Sequence, residues 1–176
     1  MHKRHLQVGY EHFNFANGQE DELRRIFQMA TTITFELHFI MNDKQKLIFL
    51  TYDLDSLTDL DLKGQNIDDN FLKELCDSGN LKKIRYINLI DNENLTSRSL
   101  KYLFRNKKVG SEGFGSYLSG KYGMMSVKIV IEISSPNMTK DKIKSYQKPL
   151  FDFYFRDLGL GRTYQAVREF EICNDY

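Results

Sequence analysis

Four histidines, His2, His5, His12 and His38, all fall within the first forty residues, and they carry the side chains best suited to general-base or metal-ligand chemistry. Only His2 and His5 have a spacing that could share a metal. His38 and Glu36 are two apart and would share a strand face, where they could meet His12 if the strands are neighbours. No Ser/His/Asp or Cys/His arrangement can be assembled from spacing. Asp53, Asp55, Asp59 and Asp61 cluster, but alternating acids ahead of a strand usually solvate it. The glycine-rich run Gly110-Ser111-Glu112-Gly113-Phe114-Gly115-Ser116-Tyr117 suggests a phosphate loop. It lacks the Gly-Lys-Ser/Thr ending, since Gly120-Lys121 is followed by Tyr122, and it follows a helix rather than a strand. The expectation is no enzyme, no cofactor and no metal. A pocket gathering His12, His38 and carboxylates would instead mark an enzyme of unassigned class.

A second chemistry lies in the segment 98–122. Arg98, Lys101, Arg105, Lys107, Lys108 and Lys121 are interleaved there with Tyr102, Phe104, Phe114, Tyr117 and Tyr122, against the single acid Glu112. Such a mixture can follow a phosphate backbone while stacking bases, which makes nucleic-acid binding the alternative function. The same residues could hold an acidic protein surface, and cations at a helix C-terminus also complement its dipole.

The whole chain sets limits on these readings. Its 176 residues suit one domain with a sizeable core, and a formal net charge of +1 supplies no global pull toward nucleic acid or an anionic membrane. Cys76 and Cys173 are too few for a disulfide scaffold and point to a reducing compartment. Cytoplasmic location is therefore expected, although so few cysteines also suit a secreted effector. The N-terminus lacks the apolar core of a signal peptide, and no apolar run approaches the ~20 residues that span a bilayer. No membrane partner is expected.

The elements that would position these groups follow from periodicity. Gln19 to Ala30 reads as a helix with Leu23, Ile26, Phe27 and Ala30 on one face. Ile33-x-Phe35-x-Leu37-x-Phe39 has the period of a strand. A polar turn at Asn42-Asp43-Lys44 would return it through a second strand over Leu47 to Tyr52, as a β-hairpin. Downstream, Leu60-x-Leu62-x-x-x-Asn66-Ile67-Asp68 matches Ile131-x-Ile133-x-x-x-Asn137-Met138-Thr139 without a gap. Ile87-x-Leu89 with Asn94-Leu95-Thr96 matches both, with one extra loop residue. Each block leads into helix-like text: Leu72-Lys73-x-Leu75, Leu100-Lys101-x-Leu103 and Ile143-Lys144-x-Tyr146. The step from Leu60 to Ile87 is 27 residues and that from Ile87 to Ile131 is 44, so about 17 are inserted. Five of the eleven glycines crowd into Gly110 to Gly123 there. Tyr164 to Ile172 alternates as a last strand, while the aromatic stretch Lys148 to Phe155 is expected to extend or follow the third helix.

This pattern resembles the leucine-rich repeat family, in its ribonuclease-inhibitor-like class, through Leu57-x-x-Leu60-x-Leu62-x-x-x-Asn66-Ile67 and Ile84-x-x-Ile87-x-Leu89 with Asn92 or Asn94 before Leu95. Val127 or Ile129 through Ile131-x-Ile133 to Asn137-Met138 makes the third unit. The resemblance covers about half of the chain. It implies an α/β fold, a short strand-helix stack with an N-terminal helix and β-hairpin as cap. One domain would divide into a cap (1–55), a repeat region (56–147, insertion 104–124) and a C-terminal cap (148–176). It also implies that an asparagine in each turn satisfies backbone groups inside the stack.

In such a stack each Leu-x-Leu pair points inward and the residues between them line the open face. Asp59, Tyr86 and Val130 form one row, Asp61, Asn88 and Glu132 a second, and Lys63, Ile90 and Ser134 a third. Tyr86 beside Ile90 would be an interface anchor. The expected function is non-catalytic binding of another protein, as an effector, immunity protein or adaptor. It would use this face and the insertion, through Asp59, Asp61, Lys63, Tyr86, Asn88, Ile90, Glu132, Arg105, Lys107, Lys108, Phe114 and Tyr117.

Overall fold

A computed structural model of the chain describes residues 4–13, 20–106, 108–111, 125–134, 153–157 and 163–172. The element order is β1 (His5–Val8), a 3-10 turn (Tyr10–Phe13), α1 (Glu20–Met29), β2 (Thr32–Phe35), α2 (Asp43–Thr51), β3 (Asp59–Asp61) and α3 (Asp69–Ser78). There follow β4 (Tyr86–Leu89), α4 (Ser97–Arg105), β5 (Met125–Ser134), β6 (Phe153–Asp157) and β7 (Thr163–Ile172). One seven-stranded sheet runs β1-β2-β3-β4-β5-β7-β6. Strands β1 to β5 pair in parallel, and β7 pairs antiparallel with both β5 and β6. The fold is α/β.

The parallel register shows how far the repeat extends. Leu6 lies opposite Ile33, Ile33 opposite Leu60, Leu60 opposite Ile87 and Ile87 opposite Ile131. The first three steps are each 27 residues. The segment 1–55, expected as a cap, therefore contributes two further strand-helix units. The expected hairpin is absent: residues 47–51 belong to α2, and the strand predicted over Ile33 to Phe39 ends at Phe35. A short apolar run such as Leu47-Ile48-Phe49-Leu50 fits a buried strand or a helix equally well. The capping box decides it. Asn42 Oδ1 accepts the Gln45 N–H at 3.0 Å while Gln45 Oε1 accepts the Asn42 N–H at 2.9 Å. Of the aromatic stretch Lys148 to Phe155, Phe153 to Phe155 lie in β6, and the rest falls outside the described residues. The last strand stands as expected, whereas the third helix at Ile143 to Tyr146 falls outside the described residues.

Each later helix starts on the same signal. Asp68 caps α3 by accepting the Phe71 N–H at 2.8 Å, and Thr96 caps α4 by accepting the Arg98 N–H at 3.2 Å. Gly79 ends α3 in the left-handed region with φ 88°, where a Cβ would be strained. Helices and strands bury one continuous core, with Phe27, Phe49, Leu72, Leu75, Leu100 and Leu103 packed over Ile33, Leu60, Leu62, Ile87 and Leu89. Rings knit the first units together. Phe27 stacks on Tyr52 at 4.1 Å between centroids, and Phe49 lies 6.0 Å from Phe27, 6.1 Å from Phe35 and 6.3 Å from Phe71.

Backbone bonds between units recur with the same step. The Arg4 carbonyl accepts the amides of both Thr31 and Thr32, that of Thr31 accepts Thr58 and Asp59, and that of Thr58 accepts Arg85 and Tyr86, all between 2.7 and 3.2 Å. In the turns after the strands, polar side chains take over. Asn92, fully buried, accepts the Ile67 N–H at 3.0 Å and donates to the carbonyls of Leu62 (2.9 Å) and Leu89 (3.1 Å). Gln65 acts likewise one unit earlier, accepting the Met41 N–H at 3.0 Å and donating to the Phe39 carbonyl at 2.8 Å. Of the asparagines expected in this role, Asn92 holds it. Asn66 does not: it is exposed, has φ 51°, and accepts from Asn94 at 2.8 Å. Asn137 lies outside the described residues.

Two predictions follow from this packing. Asn92→Ala orphans a buried N–H and carbonyls and is expected to cost about 3 kcal/mol, against less than about 0.5 kcal/mol for exposed Asn94→Ala, read from urea unfolding. Burial raises the Tyr52 phenol pKa above its ordinary 10.0, with Arg24 pulling the other way. A raised value means that the stabilisation is intact below pH 10 and is lost as pH climbs through the folded pKa. Unfolding midpoints of the parent should therefore drop above pH 10 more steeply than those of Tyr52→Phe.

Candidate functional site

Leu6, Val8, Ile33, Leu60, Ile87, Leu89, Ile131 and Ile133 face the core, and the strand residues between them lie on the opposite sheet face. Its rows follow from register. His5, Thr32, Asp59, Tyr86 and Val130 lie side by side, Asp61, Asn88 and Glu132 form the next row, and Gln7 pairs with Thr34. The two rows expected from sequence thus exist, and the first extends two strands further toward the N-terminus. The third does not continue the ladder, because β3 stops at Asp61 and Lys63 and Ile90 sit in turns.

The individual groups are less free than a solvated face would make them. Asp59 is half-buried and accepts the Thr58 hydroxyl at 2.6 Å. Asp61 is half-buried and accepts the Lys63 N–H at 2.9 Å. Asn88, expected to face solvent, is 7% exposed and accepts the Ile90 N–H at 3.0 Å. Tyr86 and Ile90 are half-buried. Lys63 is exposed and pairs with Asp91 at 3.5 Å. At the upstream edge, exposed His5 meets the Thr34 hydroxyl through Nε2 at 2.8 Å.

The basic segment is divided. Arg98 and Lys101 are exposed on α4, Arg105 closes that helix, and Lys108 spends its ammonium on the Asp77 carbonyl at 2.6 Å. Tyr102, one of the rings expected to stack bases, packs against the core. Lys107, Phe114 and Tyr117 lie outside the described residues.

Of the four histidines, His2 lies outside the described residues, and His12 and His38 do not line a common cleft. His12 Nδ1 accepts the Gly9 N–H at 3.1 Å and lies 2.9 Å from Glu11 Oε1. His38 occupies a turn with φ 71° rather than a strand face, so it does not share one with Glu36. Among the described residues no group of three His, Cys, Asp or Glu side chains could hold a metal.

A cleft of about 340 Å³ opens at the C-terminal ends of β2 and β3, lined by residues 35–40 together with Asp61, Lys63, Gly64 and Gln65. It takes in Glu36, His38 and Asp61 but not His12. Its apolar lining, Leu37 and Ile40 above all, was hidden in the sequence by reading residues 33–39 as one alternating strand. The signal that could have exposed it is the step of 27 from Leu60 back to Ile33, which ends the inward pair at Phe35 and leaves Leu37 beyond the strand.

No protein-family model, no curated protein and no solved structure matches the chain.

The middle row yields a direct test. Asn88→Asp would place a buried carboxylate between Asp61 and Glu132 in register, and it is expected to cost about 1–3 kcal/mol at neutral pH. The new group is disfavoured only when charged, so the deficit should shrink as pH falls through the carboxylate range. Urea unfolding at pH 7 and pH 4 measures both.

Proposed function

We propose that this chain is a non-catalytic protein-binding module built as a short leucine-rich-repeat-like stack, and that it holds its partner on the sheet face opposite the core. The observation that carries the reading is that face itself, with polar rows in register across the parallel strands and Tyr86 at its middle. The 27-residue step and buried Asn92 support the repeat reading. Gln65 in the place of an asparagine is a departure from the family's pattern. An aromatic ring held half-buried on a rigid strand gives contact area at low entropy cost, which suits an anchor. The glycine-rich insertion would add to the same interface.

The test is retention of a stoichiometric protein by the immobilised chain. Tyr86→Ala is expected to weaken retention about tenfold or more, a loss of about 1.4 kcal/mol, while raised salt changes it little. Retention that survives Tyr86→Ala contradicts the proposal. Salt-sensitive binding of single-stranded nucleic acid, abolished by neutralising Arg105, Lys107 and Lys108, would replace it with the nucleic-acid reading.

A further inference from the structure

The turn after β2 differs from its equivalents in a way the fold does not demand. In the next unit the turn reads Lys63-Gly64-Gln65-Asn66, and in the one after it Ile90-Asp91-Asn92-Glu93-Asn94. Both turns put polar groups outside. The β2 turn reads Glu36-Leu37-His38-Phe39-Ile40, and there Leu37 is 84% exposed and Ile40 54% exposed. Tyr10, 64% exposed, adds to them by standing edge-on to buried Phe39 at 4.8 Å between centroids. Three large apolar side chains thus border the cleft that Phe35 and Phe39 line. The left-handed place of the turn falls to His38 here and to Gly64 and Asp91 in the next two, each followed by a buried residue (Phe39, Gln65, Asn92), so Leu37 is one residue extra and the later turns close without it. An exposed apolar group of this kind marks a contact surface.

Charge selects the occupant. Glu36 lines the cleft, and its carboxylate lies over Gly9, where any side chain would collide with it and would come within 2.8 Å of Glu11 Oε2. Asp61 lines the far wall. The nearby cation, Lys63, is paired with Asp91, so the rim is acidic in balance. The cleft is open and shallow rather than enclosed, which fits a chain segment better than a small molecule. We infer that this turn is a second docking point, which takes a segment of a protein partner carrying a large apolar side chain flanked by Lys or Arg. The inference rests on the reading of the chain as a protein-binding module but uses a surface separate from the Tyr86 rows.

A random dodecapeptide library selected on the immobilised full-length chain tests it. Enriched peptides should carry Leu, Ile, Phe or Met with Lys or Arg close by. The double substitution Leu37→Ser with Ile40→Ser should weaken them about tenfold or more, and Glu36→Gln about threefold with a reduced salt dependence. Both variants change exposed side chains, and melting temperatures within about 2 °C of the parent establish that they fold. No enrichment, enrichment of acidic peptides, or peptides that bind the double variant undiminished would overturn the docking point. Loss of partner retention in Tyr86→Ala but not in the double variant, together with an empty selection, overturns it and leaves the strand-face reading standing. Peptide loss in the double variant beside partner retention in Tyr86→Ala does the reverse.

Discussion

Every strand-helix unit in this protein must hand its backbone hydrogen-bonding groups to the next, and the way it does so constrains everything else. At the strand entrances one carbonyl, of Arg4, Thr31 or Thr58, takes two successive amides from the following unit. At the strand exits the chain turns away from the sheet, and buried amides and carbonyls there have no ladder to join. An unpaired buried group costs about 1–3 kcal/mol, so a polar side chain must enter the turn. Gln65 and Asn92 do this, each reaching back to the unit before. With both ends of the strands fixed, the inward apolar pairs have no freedom of register, since a slip of one residue would turn Leu60 and Leu62 out of the core.

The stack frees two kinds of position from structural duty. The outward rows lie in fixed register and vary from His5 and Gln7 at the edge to Tyr86 and Asn88 near the middle. The turn tips vary more: His38, Gly64 and Asp91 hold one left-handed place with three chemistries. Recognition written on these positions leaves the core untouched. The aromatic cluster of Phe27, Phe35, Phe49, Tyr52 and Phe71 links the first three helices to the sheet, which keeps the upstream turns at a fixed place on the rigid stack.

The repeat was legible where its apolar pairs are leucine and isoleucine and its turns are polar. Leu60, Ile87 and Ile131 announce the step, and the register agrees with it. The first two units were hidden because their turns carry Tyr10, Phe13, Leu37 and Phe39 in place of the polar signals Gln65 and Asn92. Leu6-x-Val8 and Ile33-x-Phe35 hold the same inward places, but Leu37 and Phe39 prolong the alternation past the true strand end. The helix over residues 43–51 was misread for a similar reason, its apolar run outweighing a capping box that was present in the sequence. The turn asparagine was displaced by one position because glutamine, one methylene longer, does the same work at Gln65. In the candidate site, the strand rows could be aligned from sequence. Their burial could not, because the bonds from Thr58 to Asp59 and from Ile90 to Asn88 depend on local turn geometry.

Native-state amide hydrogen exchange tests most directly whether lateral bonding between units holds the fold. The amides of Met41 and Ile67, whose acceptors are the side chains of Gln65 and Asn92, should be protected to the same degree as Leu60 and Ile87 in the strands, as should those of Thr32, Asp59 and Tyr86. Exchange of the Met41 and Ile67 amides at the rate of open loops, with the strand amides still protected, would contradict it.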